Sequence, residues 1–132
     1  RALGESAGLA LIDAVGLDRD RQMLGALLET FVLQELRRQA SWRPEPISFF
    51  HFRDRDDFEV DVVLEQGQSA VAGIEVKAAA TVGEADFRGL RKLRDAARER
   101  FVAGVVLYDG SACVDFRDGL FAVPVRRLWE SP

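Results

Sequence analysis

The fold is decided between Phe58 and Lys77. The stretch reads Phe58-Glu59-Val60-Asp61-Val62-Val63-Leu64-Glu65, then Gln66-Gly67-Gln68-Ser69, then Ala70-Val71-Ala72-Gly73-Ile74-Glu75-Val76-Lys77. Two apolar, β-branched runs flank a short polar segment containing a glycine, which predicts a β-hairpin. Asp61, Glu75 and Lys77 interrupt these runs where packing alone prefers apolar residues. Side chains repeat every two residues along a strand, so Glu75 shares a face with Lys77, and Glu59 with Asp61.

Upstream, Leu9, Ile12, Val15 and Leu17 recur at helical spacing and predict a short first helix ending near Gly16. Asp18 or Asp20 can cap a second helix running to about Ala40, with Leu24, Leu27, Leu28, Phe31, Val32 and Leu36 as its apolar stripe. Pro44 and Pro46 stop it. Ile47 to Phe52 reads as a strand and Arg53-Asp54-Arg55-Asp56-Asp57 as a turn. Downstream, Thr81 and Glu84 fit a capping box for a helix over about 83–99, with Phe87, Leu90, Leu93 and Ala97 facing inward. Phe101 to Tyr108 is a continuous apolar run, read as a strand covered on both faces. Ala112 to Val125 predicts a final hairpin around Asp118-Gly119. The order α, α, β, β, β, α, β with a small β addition predicts an α/β domain, a mixed sheet flanked by helices.

Composition agrees with one globular domain: 132 residues, 48% hydrophobic and 30% charged, too apolar for a disordered chain. No apolar run nears the ~20 residues of a membrane helix, and no signal peptide opens the sequence, so the expectation is a soluble cytoplasmic domain without membrane contact. One cysteine, Cys113, and one histidine, His51, exclude an internal disulfide, a thiolate zinc site and a His-rich metal site. A net charge of −4 argues against a dedicated nucleic-acid binder while allowing a local basic patch. Only two of the eighteen basic residues are lysines, Lys77 and Lys92, which makes a lysine inside an apolar strand conspicuous.

Two carboxylates facing each other across adjacent strands form a hard, oxygen-rich site suited to Mg²⁺ or Mn²⁺. A neighbouring lysine can orient a metal-bound water or stabilise phosphate charge. On spacing alone, the plainer reading is that Glu75 and Lys77 face solvent and Asp61 joins an ordinary salt bridge. Register separates the two. A two-residue Gln66-Gly67 turn pairs Asp61 with Ala72 and leaves the carboxylates roughly 10 Å apart, too far for one ion. A metal site needs a longer loop, about Gln66 to Ala70, or a bulge that sets Asp61 opposite Glu75, with both looking toward Glu29 and the Lys77 amine reaching the same pocket.

Asp61 followed by Glu75-Val76-Lys77, after a helix carrying Glu29, resembles the PD-(D/E)XK (restriction-endonuclease-like) nuclease superfamily, whose core is αβββαβ. The element order matches from about residue 20 to residue 108. Leu27-Leu28-Glu29, Phe31-Val32 and Glu35-Leu36, with Glu59-Val60-Asp61 and Ile74-Glu75-Val76-Lys77, more narrowly resemble the C-terminal domain of unknown function found in bacterial AAA-type ATPases. The resemblance makes residues 1–17 a connection from a preceding ATPase domain and 18–132 the nuclease-like domain. It implies Asp61, Glu75 and the Val76 carbonyl as ligands of Mg²⁺ or Mn²⁺, Lys77 as the catalytic lysine and Glu29 as a further acidic partner. It implies phosphodiester hydrolysis on DNA or RNA; the alternative is a catalytically silent module that docks on or regulates the ATPase. Glu59 stands two residues before Asp61, and the proline that gives the superfamily its name is missing.

The remaining residues invite blander readings. Glu35 falls in the helix stripe and predicts a structural pairing with an arginine. No Gly-x-x-x-x-Gly-Lys-Ser/Thr loop exists to hold ATP. His51 is expected at the surface or in packing, Cys113 as a small buried hydrophobe, and Trp42 and Trp129 over core edges. The 83–99 helix carries Arg88, Arg91, Lys92, Arg94 and Arg98; it reads either as a phosphate-facing surface or as a solvated face laced by pairs such as Arg91 with Asp95.

Overall fold

A computed structural model describes residues 21–130, with side chains from Gly25 onward. The expected first helix, its connection over 1–17, the Asp18 or Asp20 cap and the Leu24 side chain lie outside the described residues. Helix α1 spans Arg21–Ala40 and is followed by β1 (Ile47–Arg53), β2 (Glu59–Gln66) and β3 (Ala70–Lys77). A 3-10 turn (Glu84–Phe87) leads into α2 (Arg88–Ala97), a second (Arg98–Arg100) into β4 (Phe101–Tyr108). Strands β5 (Val114–Asp115) and β6 (Leu120–Pro124) and a 3-10 turn (Val125–Trp129) complete the described chain.

The six strands form one mixed sheet in the order β1-β2-β3-β4-β6-β5. β1, β2 and β3 run antiparallel, while β4 lies parallel to both β3 and β6. Apolar residues on the two sheet faces gather into two cores. Phe87, Leu90, Leu93 and Ala97 of the α2 segment, all buried, join Val60, Val63, Val71 and Val106 on one face. Val32 of α1 joins Val62, Ile74, Leu107 and Val125 on the other. The helix-spaced and strand-spaced apolar residues therefore meet in a layered α/β domain.

Two local features shape the strands that carry the site. Gln66 pairs with Ala70, so the β2–β3 loop is Gly67-Gln68-Ser69, longer than a two-residue turn. Gly67 sits at φ 60°, a left-handed conformation that costs glycine little. The β1–β2 register also slips between Phe50 and Phe52, where Phe50 opposes Val63 and Phe52 opposes Val60. This β-bulge breaks the alternation of β2, so Val60 and Val62 fall in different cores. Near the same place α2 comes very close to β2: a Cβ on Gly89 would lie 2.0 Å from the Glu59 carbonyl oxygen. Only glycine allows this approach.

Four expectations need correction. The cap of the α2 segment is Gly83 with Asp86, whose Oδ2 accepts the Gly83 N–H at 2.8 Å, rather than Thr81 with Glu84; Asp86 lies one 3-10 turn beyond Gly83. Arg91 pairs with Glu84, not Asp95, and Lys92 reaches Asp56, because the 3-10 turn and the β1–β2 loop bring those acids alongside the helix. Cys113 is exposed, lying in the loop before β5 where no element covers it. Trp42 is 66% exposed after the end of α1, held by the Arg38 guanidinium stacked 4.5 Å from its ring centroid rather than by the core. Trp129 packs, partly buried, against the α1-side core.

Candidate functional site

The site lies where β2 and β3 stop pairing backbone to backbone. The ladder runs to Val62 opposite Ile74, and one step further the same register sets Asp61 opposite Glu75. There the side chains take over. The Asp61 N–H donates to Glu75 Oε1 at 2.7 Å, and the Val76 N–H donates to Asp61 Oδ2 at 2.8 Å. Each carboxylate thus spans the gap to the other strand, leaving it one further oxygen for another partner. Among the described residues neither carboxylate forms an ion pair with a lysine or arginine.

The electrostatics follow from that crowding. Burial first, and the Asp61 charge second, push Glu75 up to about 8 against the downward pull of the Asp61 N–H. The Glu29 charge adds to the rise. Glu29, half-buried on α1, is itself raised, by burial and then by Asp61. Three carboxyl groups from α1, β2 and β3 therefore feel one another.

These residues fit one kind of metal site and not another. Among the described residues no group of three His, Cys, Asp or Glu side chains is close enough to cage an ion. Mg²⁺, however, keeps several waters and is held by one or two carboxylates, which is the donor set that Asp61 and Glu75 present. Glu29 would act through water.

Lys77 is placed elsewhere. Its Nζ donates to Asp86 Oδ2 at 2.7 Å, the same oxygen that accepts the Gly83 N–H. Burial favours the neutral acid at Asp86, but the Gly83 N–H and the Lys77 ammonium outweigh it and hold its pKa below the ordinary value. The expected convergence of the Lys77 amine on the carboxylate pair is absent in this arrangement. Val76 contributes its N–H, to Asp61. Asp86 was not legible as a partner of Lys77; its only signal was an acid three residues after Gly83.

A groove of about 210 Å³ opens beside Asp61, bordered by Arg37, Phe49, Phe50 and His51. His51 is exposed and shares Glu59 with Arg53. Glu35 is structural: 6% exposed, it accepts from Arg38 Nε at 2.9 Å and Gln39 Nε2 at 2.8 Å, and Gln39 also donates to the Leu128 carbonyl. Among the described residues no helix is long and apolar enough to cross a membrane.

Set against known proteins, the chain matches one family model. No curated protein matches it. A chain of the Thermococcus gammatolerans assembly of McrB AAA+ hexamers with bound McrC is similar, at a TM-score of 0.46 and 19% identity over 76% of this chain. The similar region spans 27% of that chain's length. The profile of DUF4143, a domain of unknown function, matches residues 24–128, from α1 to the last 3-10 turn and across the whole sheet. The chain belongs to the DUF4143 family.

Proposed function

We propose that this domain is a PD-(D/E)XK nuclease-like module, carried by a larger AAA-type ATPase, that hydrolyses phosphodiesters with Mg²⁺ or Mn²⁺ held by Asp61 and Glu75. The observation that carries this reading is the juxtaposition of Asp61 and Glu75 across β2 and β3, with no cationic side chain among the described residues to neutralise them. Like charges so placed favour a bound cation or a proton. The ATPase attachment is supported by the sequence resemblance of α1 and the two strands.

A divalent cation in this site would polarise a phosphodiester and lower the pKa of a bound water. Asp61 and Glu75 supply hard oxygens and are oriented by the N–H groups of Val76 and Asp61. Glu29 can hold a water on the α1 side. Lys77 can contribute to the reaction only after leaving Asp86. That last point favours a second reading, a silent module that keeps the fold for docking on the ATPase, because in the present arrangement Lys77 serves the structure.

The test is Mn²⁺-dependent cleavage of a mixed DNA and RNA panel by the full-length protein, alongside Asp61→Asn, Glu75→Gln and Lys77→Ala. The nuclease reading expects cleavage that all three substitutions abolish while Lys77→Ala keeps its metal-induced stabilisation. Cleavage unaffected by all three, or no cleavage at all, gives the silent module.

A further inference from the structure

The surface beside Asp61 carries a second signal, basic and aromatic, in a chain whose net charge is −4. From Arg37 to Arg53 the sequence holds four arginines, Arg37, Arg38, Arg43 and Arg53, against one acid, Glu45. Arg38 and Arg53 are neutralised by Glu35 and Glu59. Arg37 and Arg43 form no ion pair among the described residues. Two large aromatic side chains of this segment face water, Trp42 at 66% exposure, with the Arg38 guanidinium beside its ring, and Phe50 at 52%. The Arg37 guanidinium lies over the Phe49 ring, 4.7 Å from its centroid, so a charge without an ion-pair partner rests on an aromatic face.

Arg37, Arg43, Phe49 and Phe50 line two grooves that adjoin, and Trp42 stands beside Arg43 in the chain. One, of about 370 Å³, runs between the end of α1 and the start of β1 and is bordered by Arg37, Arg43 and Phe49. The groove beside Asp61 shares Arg37 and Phe49 with it and adds Phe50. The path therefore leads from Arg43, past two aromatic rings, to a carboxylate of the candidate metal pair.

We infer that this surface binds single-stranded nucleic acid and delivers it to Asp61 and Glu75. The substrate class rests on the nuclease reading above; the binding surface does not. Free guanidinium groups interleaved with exposed rings suit a chain that offers both phosphates and bare bases. A duplex hides its base faces inside the stack and leaves Trp42 and Phe50 nothing to meet. The arginine-rich α2 segment is a weaker candidate, since its one aromatic ring, Phe87, is fully buried and offers no face to a base.

The test measures binding of labelled oligo(dT), oligo(rU) and a blunt DNA duplex to the full-length protein in EDTA, where metal-dependent cleavage is off. Single strands bind at least about tenfold tighter than duplex, and Trp42→Ala and Phe50→Ala each weaken them by about tenfold, the loss of one base stack. Arg37→Gln and Arg43→Gln each shrink the slope of log K against log salt by about 0.7. Arg88→Gln, exposed on the opposite helix, changes neither. Thermal melts confirm that the substituted proteins remain folded. Single-strand binding of this kind without Mn²⁺-dependent cleavage leaves the inference standing and removes the nuclease reading. Cleavage with equal affinity for duplex, insensitive to Trp42 and Phe50, overturns the inference and leaves the nuclease. Absence of oligonucleotide binding also overturns it and points to a protein on this surface.

Discussion

Glu35 on α1 and Glu75 on β3 are both carboxyl groups withdrawn from water, and their neighbours have opposite character. Glu35 is surrounded by donors: the Arg38 guanidinium and the Gln39 amide, which a Leu128 carbonyl holds in place. Among the described residues Glu75 receives one N–H, from Asp61, and is set against the charges of Asp61 and Glu29. A buried carboxylate with a cation is a finished structural element, whereas one facing other carboxylates is incomplete until a proton or a metal arrives. The contrast turns neutralisation into a diagnostic. Removing the charge should harm the fold at Glu35 and help it at Glu75.

The largest effect is expected from pH. Glu75 has its pKa raised from an ordinary 4.5 to about 8 in the fold. Between those values the folded state holds a proton that the unfolded state has lost, so stability falls as pH rises from about 4.5 through 8. Glu75→Gln removes that loss and should be the more stable protein at pH 9, by at most about 5 kcal/mol, with little difference near pH 4.5. Denaturant melts across this range check it. A variant less stable at both ends would show that Glu75 is already satisfied, as Glu35 is.

Metal comes next. Mn²⁺ at one hundred times its dissociation constant should stabilise the wild type by about 2.7 kcal/mol, most visibly at high pH, where the cation replaces the proton. Glu35→Gln should keep this gain, while Asp61→Asn and Glu75→Gln lose it. An unchanged melting temperature at millimolar Mn²⁺ in wild type and Asp61→Ala alike would remove the metal from the comparison.

Glu35→Gln should cost about 1–2 kcal/mol, since Arg38 loses its anion yet keeps access to water. Calorimetric melting measures this, and a neutral result would reduce the cluster to a surface pair. The smallest effect belongs to Asp86→Asn. It should lower stability by about 1 kcal/mol or less, as expected for a half-exposed ion pair. If the nuclease reading holds, freeing Lys77 in this way should raise Mn²⁺-dependent cleavage. Unchanged or lower cleavage would assign the Lys77–Asp86 pair to structure.

Much of this was legible before the coordinates. The α2 stripe of Phe87, Leu90, Leu93 and Ala97 is buried throughout, because period-3.6 spacing leaves a helix one face to hide. That Glu35 pairs with an arginine followed from the cost of burying a lone charge; only the fold named Arg38 as the partner. Trp42 and Cys113 were misread as covered for a shared reason. Average residue preference places them inward, but each sits in a connecting segment, and no element packs over it.

What the sequence by itself determined was the order of elements from α1 to β6 and the presence of charge within two apolar strands. Periodicity and β-branching are local properties, and they suffice for that. Whether those charges meet was decided by tertiary structure. Alternation alone could not pair Asp61 with Glu75; the three-residue loop after Gln66 did so, and its length depends on how the neighbouring strands pack. The direction of Lys77 was decided the same way. A long side chain with three donors goes to the best acceptor within reach, and only the folded position of Gly83 and Asp86 put one there.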